Sequence, residues 1–121
     1  METTILIVDG MEEMRLLISN AIVELMGETY KFQFLLAKNA EEAQRLMHYK
    51  RVDLVITDHR MPGITGTELI LWIKKNHPEV PIILMSSDAE NPIHQADGFL
   101  TKPLNIFLLE KLITELLAVP V

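Results

Sequence analysis

The sequence predicts an α/β protein in which a parallel sheet is covered by helices on both faces. Short apolar runs of strand length recur along the chain, and stretches with a helical spacing of apolar residues separate them. The runs are mostly continuous, which is typical of strands that are buried on both faces. Strands that alternate with helices form parallel sheets through right-handed crossovers.

Five runs are candidate strands. Four of them consist almost entirely of apolar residues. The fifth is weaker and directly precedes the dipeptide Lys102-Pro103. In chain order the runs are Ile5–Val8, Phe34–Ala37, Leu54–Thr57, Ile82–Met85 and Gly98–Thr101.

Four segments have the features of helices. The second begins at Asn39, three residues before Glu42, and the third at Thr65, three residues before Glu68, so both have a capping residue and a Glu at the expected spacing. Asn105 is the predicted cap of the last helix, with apolar positions at 109, 112, 113 and 116. The first helix should end near Gly27. Its predicted core-facing residues are Met14, Leu17, Ile18, Ala21, Ile22 and Leu25.

Length and composition favour one soluble domain over residues 1–121. The chain has 121 residues, 49% of them hydrophobic, and a net charge of −6 without a basic cluster larger than a pair, so we expect no direct binding of nucleic acid. The absence of cysteine excludes disulfides, thiolate catalysis and Cys-ligated metals. We find no apolar run of membrane-spanning length and no basic segment before Ile5, and therefore expect no membrane association and a cytoplasmic protein.

Polar side chains follow the carboxyl ends of four predicted strands. Asp9, Asp58 and Ser86 end the first, third and fourth strands, and Lys102 follows the fifth. Ligands of open α/β sheets bind beyond these strand ends. An isolated Asp at a strand end is more often a turn or cap residue. The four residues together instead predict a site with two carboxylates, a hydroxyl and an ammonium.

Two carboxylates in one site need a cation or a raised pKa to coexist. Mg²⁺ suits such a site, because it takes oxygen ligands and uses one or two carboxylates with water and phosphate oxygens. A carboxylate beside this ion can attack a phosphoryl group, while the ammonium of Lys102 offsets charge on the phosphoryl oxygens. Ser86 could donate a hydrogen bond to that group.

The motifs around these residues resemble the receiver domain of bacterial two-component response regulators. They cover essentially the whole chain in the family's order. The resemblance implies a five-stranded doubly wound sheet of the flavodoxin-like order 2-1-3-4-5. The motifs are Ile5–Asp9, Asp53–Asp58, Met61-Pro62-Gly63 with Gly66, Pro81–Ser86 and Phe99–Pro103.

The resemblance also implies roles for individual residues. Asp58 would accept a phosphoryl group from a sensor histidine kinase or a histidine phosphotransfer protein. Asp9, Asp58 and the backbone carbonyl of Arg60 would hold Mg²⁺, and Lys102 would pair with the phosphoryl group. Ser86 would be the switch hydroxyl and Phe99 the aromatic residue whose rotamer follows it.

The resemblance also implies that the Lys102–Pro103 peptide bond is cis, as is typical of this family. The resemblance further implies a signalling domain that docks to a downstream protein, which the sequence does not identify. We expect no enzymatic activity beyond its own phosphorylation and dephosphorylation at Asp58.

Two features depart from the family pattern. Gly10 stands where the family usually has a second acid, so we expect weak Mg²⁺ binding and slow or conditional phosphorylation unless Glu12 or Glu13 reaches the ion. Both residues are better explained as first-turn glutamates, which the helix dipole favours. Fifteen residues separate Ser86 from Lys102, roughly six fewer than is usual, or about two helical turns. We therefore expect the fourth helix to be short or missing, with at most a stub from Pro92 to Ala96.

Several apolar residues lie off the predicted core-facing stripes. These residues either pack partly beneath the shortened segment or form a surface for a homodimer or another partner. They are Leu71, Trp72, Ile106, Phe107 and Leu108.

Two functions remain open from the sequence. The first is a phosphoacceptor receiver module, favoured by Asp58, Ser86 and Lys102. The second is a pseudo-receiver that binds partners without phosphorylation, favoured by Gly10 and the shortened fourth helix. An enzyme that binds nucleotide or flavin fits poorly, since the segment Asp9–Glu13 is acidic where such enzymes present glycines and amides to a phosphate.

Overall fold

The computed structural model describes residues 2–87 and 95–117. Five strands form one parallel sheet in the order β2-β1-β3-β4-β5, which confirms the predicted fold. The elements are β1 (Glu2–Val8), α1 (Glu12–Met26), β2 (Lys31–Ala37), α2 (Ala40–Tyr49), β3 (Leu54–Asp58), α3 (Gly66–Asn76), β4 (Ile82–Ser86), β5 (Gly98–Thr101) and α4 (Ile106–Leu117).

Strand register brings the polar residues at the strand ends to one edge of the sheet. Val8 of β1 pairs with Thr57 of β3, so Asp9 and Asp58 follow on neighbouring strands. Ser86 of β4 pairs with Thr101 of β5, directly before Lys102. The carboxyl ends of all four strands are therefore level, as expected for parallel strands of this fold.

The sheet separates two apolar cores. Every residue of β3 and β4 is buried, which explains their continuous apolar sequences. One core lies between the sheet and helices α2 and α3, with Ala43 and Ile70 among its members. The other lies between the sheet and helices α1 and α4, and includes Ile18 and Leu109. Helices α1 and α4 thus form one layer, and α2 and α3 form the other.

The predicted core-facing stripe of α1 is partly wrong. Leu17 is 52% exposed, and the buried residues of this helix are Ile18, Ser19, Ile22 and Met26. The helix contacts both the sheet and α4, and successive residues on a helix differ in direction by about 100°. The packed stripe is therefore centred on Ile18 and Ile22, and Leu17 points away from it.

The predicted caps are present at three helices. Asn39 accepts a hydrogen bond from Glu42 N at 2.8 Å, and Thr65 forms a complete capping box with Glu68. Asn105 Oδ1 accepts bonds from the amides of Phe107 and Leu108 at 3.0 and 3.1 Å. These side chains satisfy amides that have no partner within the helix, so they fix where each helix begins.

The connection between β4 and β5 has no helix in its described part. Ser87 and residues 95–97 are not helical, in agreement with a short or missing fourth helix. Most of the predicted stub from Pro92 to Ala96 lies outside the described residues. Among the described residues, none of the helices combines the length and the apolar composition of a membrane span.

Candidate functional site

Three charged side chains meet at the carboxyl edge of the sheet. Lys102 Nζ lies 3.3 Å from Asp9 Oδ2 and 3.3 Å from Asp58 Oδ1. The side chain of Asp9 is 1% exposed and that of Lys102 is 16% exposed. The ammonium therefore lies between two largely buried carboxylates, where low solvent exposure strengthens its attraction to each of them.

Three hydrogen bonds, from β2, the turn after β1 and helix α1, hold Asp9 in place. Its amide donates to Ala37 O at 3.1 Å, and its Oδ1 accepts from Met11 N at 2.9 Å. Arg15 Nη1 donates to the backbone carbonyl of Asp9 at 2.7 Å. These contacts leave Asp9 Oδ2 directed to Lys102. The sequence did not predict the role of Arg15, because an arginine in the first turns of a helix has no feature that identifies its partner.

Asp58 ends β3 beneath the first turn of α3. The amide of His59 donates to Asp58 Oδ1 at 2.9 Å. Gly66 N, at the start of α3, donates to His59 O at 2.8 Å. A Cβ at position 66 would overlap the carbonyl oxygen of Asp58 and lie 2.8 Å from His59 Cα. Gly66 thus allows the helix to pack directly against the backbone of the site.

Burial raises the pKa of Asp58 above its ordinary value. The charge of Lys102 lowers this pKa, the charge of Asp9 raises it, and hydrogen bonds from Lys102 and from His59 N lower it further. Burial has the largest effect, so the net direction is upward. The ionised carboxylate of Asp58 is less stable here than in water and would gain from a further cation.

Ser86 lies on β4, the strand next to that of Asp58, and Phe99 lies on β5, one strand further. Ser86 is buried at the end of β4, and its backbone carbonyl accepts a hydrogen bond from Lys102 N at 2.8 Å. Phe99 is half-buried on β5 and packs against the core on the side of α2 and α3. The Lys102–Pro103 peptide bond is cis, as the resemblance implied.

Gly10, which has no side chain, stands where the resemblance leads us to expect a second acidic residue. A Cβ there would have Lys38 O as its nearest neighbour at 4.0 Å, so a larger side chain would fit. Glu12 and Glu13 are exposed in the first turn of α1. Across the described ranges, no three residues of His, Cys, Asp or Glu are grouped so that they could hold a metal ion. The site thus has two carboxylates and lacks a third.

The donor atoms that are present suit Mg²⁺. Asp9 and Asp58 offer only oxygen ligands, and two carboxylates are the number that this ion commonly uses, with water completing its shell. The burial that raises the pKa of Asp58 disfavours its ionised form, and a cation bound beside it would offset this effect. Arg60, whose carbonyl was predicted as a ligand, lies in the exposed loop after β3.

Fold and site together define an α/β protein of flavodoxin-like topology with an acidic site at the switch point of the sheet. The family model described as "Response regulator receiver domain" matches residues 5–114. The chain belongs to this family, and it is therefore a signal-transduction domain of the two-component type.

Individual relatives agree with this assignment. Response regulator protein PilR of Pseudomonas aeruginosa is 29% identical over 114 residues, which are 89% of this chain and 24% of PilR. Chemotaxis protein CheV2 of Helicobacter pylori is 35% identical over 92 residues, which are 66% of this chain and 29% of CheV2. The chain thus spans less than a third of the length of either protein.

A solved structure shows the same fold. The response regulator protein TrrA of Thermotoga maritima, in complex with Mg²⁺-BeF, superposes with a TM-score of 0.80 and 31% sequence identity. The match covers 94% of this chain and 98% of that one.

Proposed function

We propose that this receiver domain accepts a phosphoryl group on Asp58 from a phosphohistidine of a sensor kinase or phosphotransfer protein. The observation that carries the proposal is the position of the Lys102 ammonium, 3.3 Å from carboxylate oxygens of both Asp9 and Asp58. A bridging cation at this edge is suited to a reaction that adds negative charge beside an existing carboxylate.

In the proposed reaction a carboxylate oxygen of Asp58 attacks phosphorus. An O–P bond forms, the P–N bond of the phosphohistidine breaks, and the imidazole leaves with the electron pair of that bond. Lys102 would stabilise the phosphoryl oxygens electrostatically, and the hydroxyl of Ser86 would donate a hydrogen bond to one of them. The raised pKa of Asp58 makes its ionised form a better nucleophile.

Mg²⁺ would be held by Asp9, Asp58 and the backbone carbonyl of Arg60, and when bound it supplies positive charge to the transferring phosphoryl group. Gly10 contributes no ligand, so we expect this chain to bind the ion more weakly than receivers with a second acid. Phosphorylation of this chain should then require higher Mg²⁺ concentrations than phosphorylation of receivers with a second acid.

The layer formed by α1 and α4 is the surface that we propose for the phosphodonor. Phe107 is 68% exposed, and Met11, Leu16, Leu17, Val23 and Leu108 are also exposed apolar residues of this layer. The surface adjoins the site, because Met11 N bonds Asp9 and α4 begins shortly after Lys102. Leu71, which is 54% exposed, belongs to the opposite layer. The phosphodonor surface therefore does not include Leu71.

The test is phosphorylation by a small donor, phosphoramidate, followed by intact-mass measurement. The expected result is a gain of one phosphoryl group in the presence of Mg²⁺ and none in the Asp58→Asn variant. A chain that stays unmodified at saturating donor and Mg²⁺ would refute the proposal.

The second candidate is a pseudo-receiver that binds its partner without phosphorylation. The presence of Gly10 favours the pseudo-receiver, because a site with two carboxylates has less negative charge for binding Mg²⁺ than a site with three. A titration with beryllofluoride and Mg²⁺ separates the two candidates. A saturable change in the fluorescence of Trp72 supports the phosphoacceptor, and an unchanged spectrum with unchanged ¹⁹F NMR supports the pseudo-receiver.

A further inference from the structure

An ion pair joins helix α3 to Asp97, the residue before strand β5, at the end of the sheet opposite the site. Lys74 Nζ lies 2.9 Å from Asp97 Oδ2 and 3.1 Å from Asp97 Oδ1. Both side chains are only partly exposed, at 25% and 34%. The ammonium thus contacts both oxygens of one carboxylate, which restricts the position of Asp97 more than a single contact would.

Asp97 is also fixed to the start of β4. Its amide donates to Ile82 O at 2.8 Å, and its Oδ2 accepts from Ile82 N at 2.8 Å. The two residues therefore exchange a pair of hydrogen bonds immediately before the Ile83–Gly98 register pair of β4 and β5. One carboxylate oxygen thus serves both the ladder and Lys74, and Asp97 sets where β5 begins.

Strand β5 is short and leads directly to Lys102. Its four residues run from Gly98 to Thr101, and Lys102 N is bonded to Ser86 O at its far end. The ammonium of Lys102 therefore stands at the end of a strand whose other end is held by Asp97. A shift of β5 along β4 would move Lys102 relative to Asp58.

Helix α3 connects the Lys74–Asp97 ion pair back to Asp58. Its first residue, Gly66, packs against the backbone of Asp58 and His59 without room for a Cβ, and Lys74 lies near its other end. The path runs from Asp58 through α3 to the ion pair, and from Asp97 through β5 to Lys102, which contacts Asp58 again. Both rigid elements touch the site at one end and each other at the opposite end.

We propose that Lys74 and Asp97 are positioning residues that couple α3 to β5 and so hold Lys102 at the distance from Asp58 that favours a bound phosphoryl group. The inference rests on the proposed function of Asp58. Because coupling is reciprocal, a group bound at Asp58 must also change the strength of the Lys74–Asp97 pair. The pair gives the site a connection to the opposite end of the sheet that does not use the segment between residues 87 and 95.

The test compares Lys74→Met with Lys74→Arg and Lys75→Met in the full chain. Lys75 is exposed on the same helix, so its substitution removes an equal charge without touching Asp97. We measure the dissociation constant of beryllofluoride at saturating Mg²⁺ by ¹⁹F NMR and by Trp72 fluorescence, well below the melting temperature of each variant. The expected result is roughly threefold weaker binding for Lys74→Met, the size of effect typical of a partly exposed ion pair. Lys74→Arg and Lys75→Met should bind like the wild type.

A double-mutant cycle with Asp97→Asn separates the effect of the ion pair on beryllofluoride binding from the effect of each substitution on the stability of the protein. The side-chain carbonyl oxygen of Asn can still accept the bond from Ile82 N, so the start of β5 is kept while the ion pair is lost. The two single variants and the double variant should all bind beryllofluoride equally weakly, because each removes the same contact. Wild-type affinity in Lys74→Met, or additive effects in the double variant, would overturn the coupling. A wild-type chain that binds no beryllofluoride would instead refute the proposed function, so the two failures are distinguishable.

Discussion

The ammonium of Lys102 lies 3.3 Å from Oδ1 of Asp58, and it lies equally close to Oδ2 of Asp9. Each of the three residues follows or ends a different strand of the sheet. Two buried carboxylates remain charged together more easily when one ammonium is shared between them. Substitutions at this edge therefore change the charge balance of the site as well as its contacts.

Removing the ammonium of Lys102 should strongly slow the phosphorylation of Asp58. We expect Lys102→Met to lower the rate of phosphorylation by phosphoramidate roughly 100-fold, as losing one electrostatic donor to a developing anion does in enzymes. The pKa of Asp58 should rise further, since Lys102 at present lowers it. Initial rates by intact-mass spectrometry measure the first effect. Lys111→Met, on the exposed face of α4, is the matched control, and a Lys102→Met rate equal to its rate would contradict the role of Lys102.

Restoring an acid at position 10 should strengthen Mg²⁺ binding. Position 10 has room for a side chain, with Lys38 O at 4.0 Å as the nearest neighbour of a Cβ. We expect Gly10→Asp to bind Mg²⁺ about tenfold more tightly, because ligand charge sets affinity for this ion. Isothermal titration calorimetry gives the dissociation constant, and Gly10→Asn controls for size without charge. If Gly10→Asp and Gly10→Asn bind alike, the missing acid does not explain weak binding.

Adding a single methyl group at Gly66 should displace helix α3 from the backbone of Asp58. The new Cβ would overlap the carbonyl oxygen of Asp58, so α3 must move away from β3. We expect Gly66→Ala to cost about 1–3 kcal/mol in the free energy of unfolding, the usual range for overpacking. Urea denaturation measures this cost. The same substitution at Gly10, Gly10→Ala, has open space and should cost much less. Equal costs at the two positions would refute the close packing.

The stability of the protein should depend on pH through Asp58. A pKa raised in the folded state means that the folded protein binds a proton more readily than the unfolded chain, so this group lowers the free energy of unfolding as pH rises through the window between the two pKa values. Asp58→Asn removes this unfavourable charge. We expect its Tm to exceed that of the wild type by roughly 3 °C near neutral pH.

The advantage of Asp58→Asn should shrink as pH falls from the raised pKa of Asp58 in the folded protein towards the ordinary pKa of Asp. Below the ordinary pKa it should be lost, because the wild-type carboxyl is then protonated in both states. Differential scanning calorimetry at a series of pH values follows the difference. Asp53→Asn supplies the comparison, since Asp53 lies at the other edge of the sheet beside Thr4 and Arg51. A difference for Asp58→Asn that is constant with pH would exclude the proposed cause.

The exposed apolar surface of α1 and α4 should matter for a protein donor and not for a small one. We expect Phe107→Ser combined with Leu108→Ser to slow transfer from a phosphohistidine protein about tenfold, a change typical of losing one buried apolar anchor at an interface. Phosphorylation by phosphoramidate should be unchanged. Leu71→Ser, on the opposite layer, is the control. Equal slowing by Leu71→Ser would contradict the assignment of this surface.

Much of the fold followed from local features of the sequence. Continuous apolar runs marked the buried strands, and Asn39, Thr65 and Asn105 marked the starts of three helices, because caps and strand burial act over a few neighbouring residues. The stripe of α1 was harder to predict. Both Leu17 and Ile18 fit a helical spacing, and the choice between them depends on where α4 packs.

The class of fold and the grouping of Asp9, Asp58 and Lys102 were predictable from the residues alone, since parallel strands bring their carboxyl ends to one edge whatever surrounds them. Only the folded structure reveals which atoms share the ammonium, why position 66 must be Gly, and that Lys74 pairs with Asp97. These contacts join residues from separate elements, and their distances depend on how far each helix lies from the sheet. That spacing is set by the packing of both cores at once, so no single segment of the sequence specifies it.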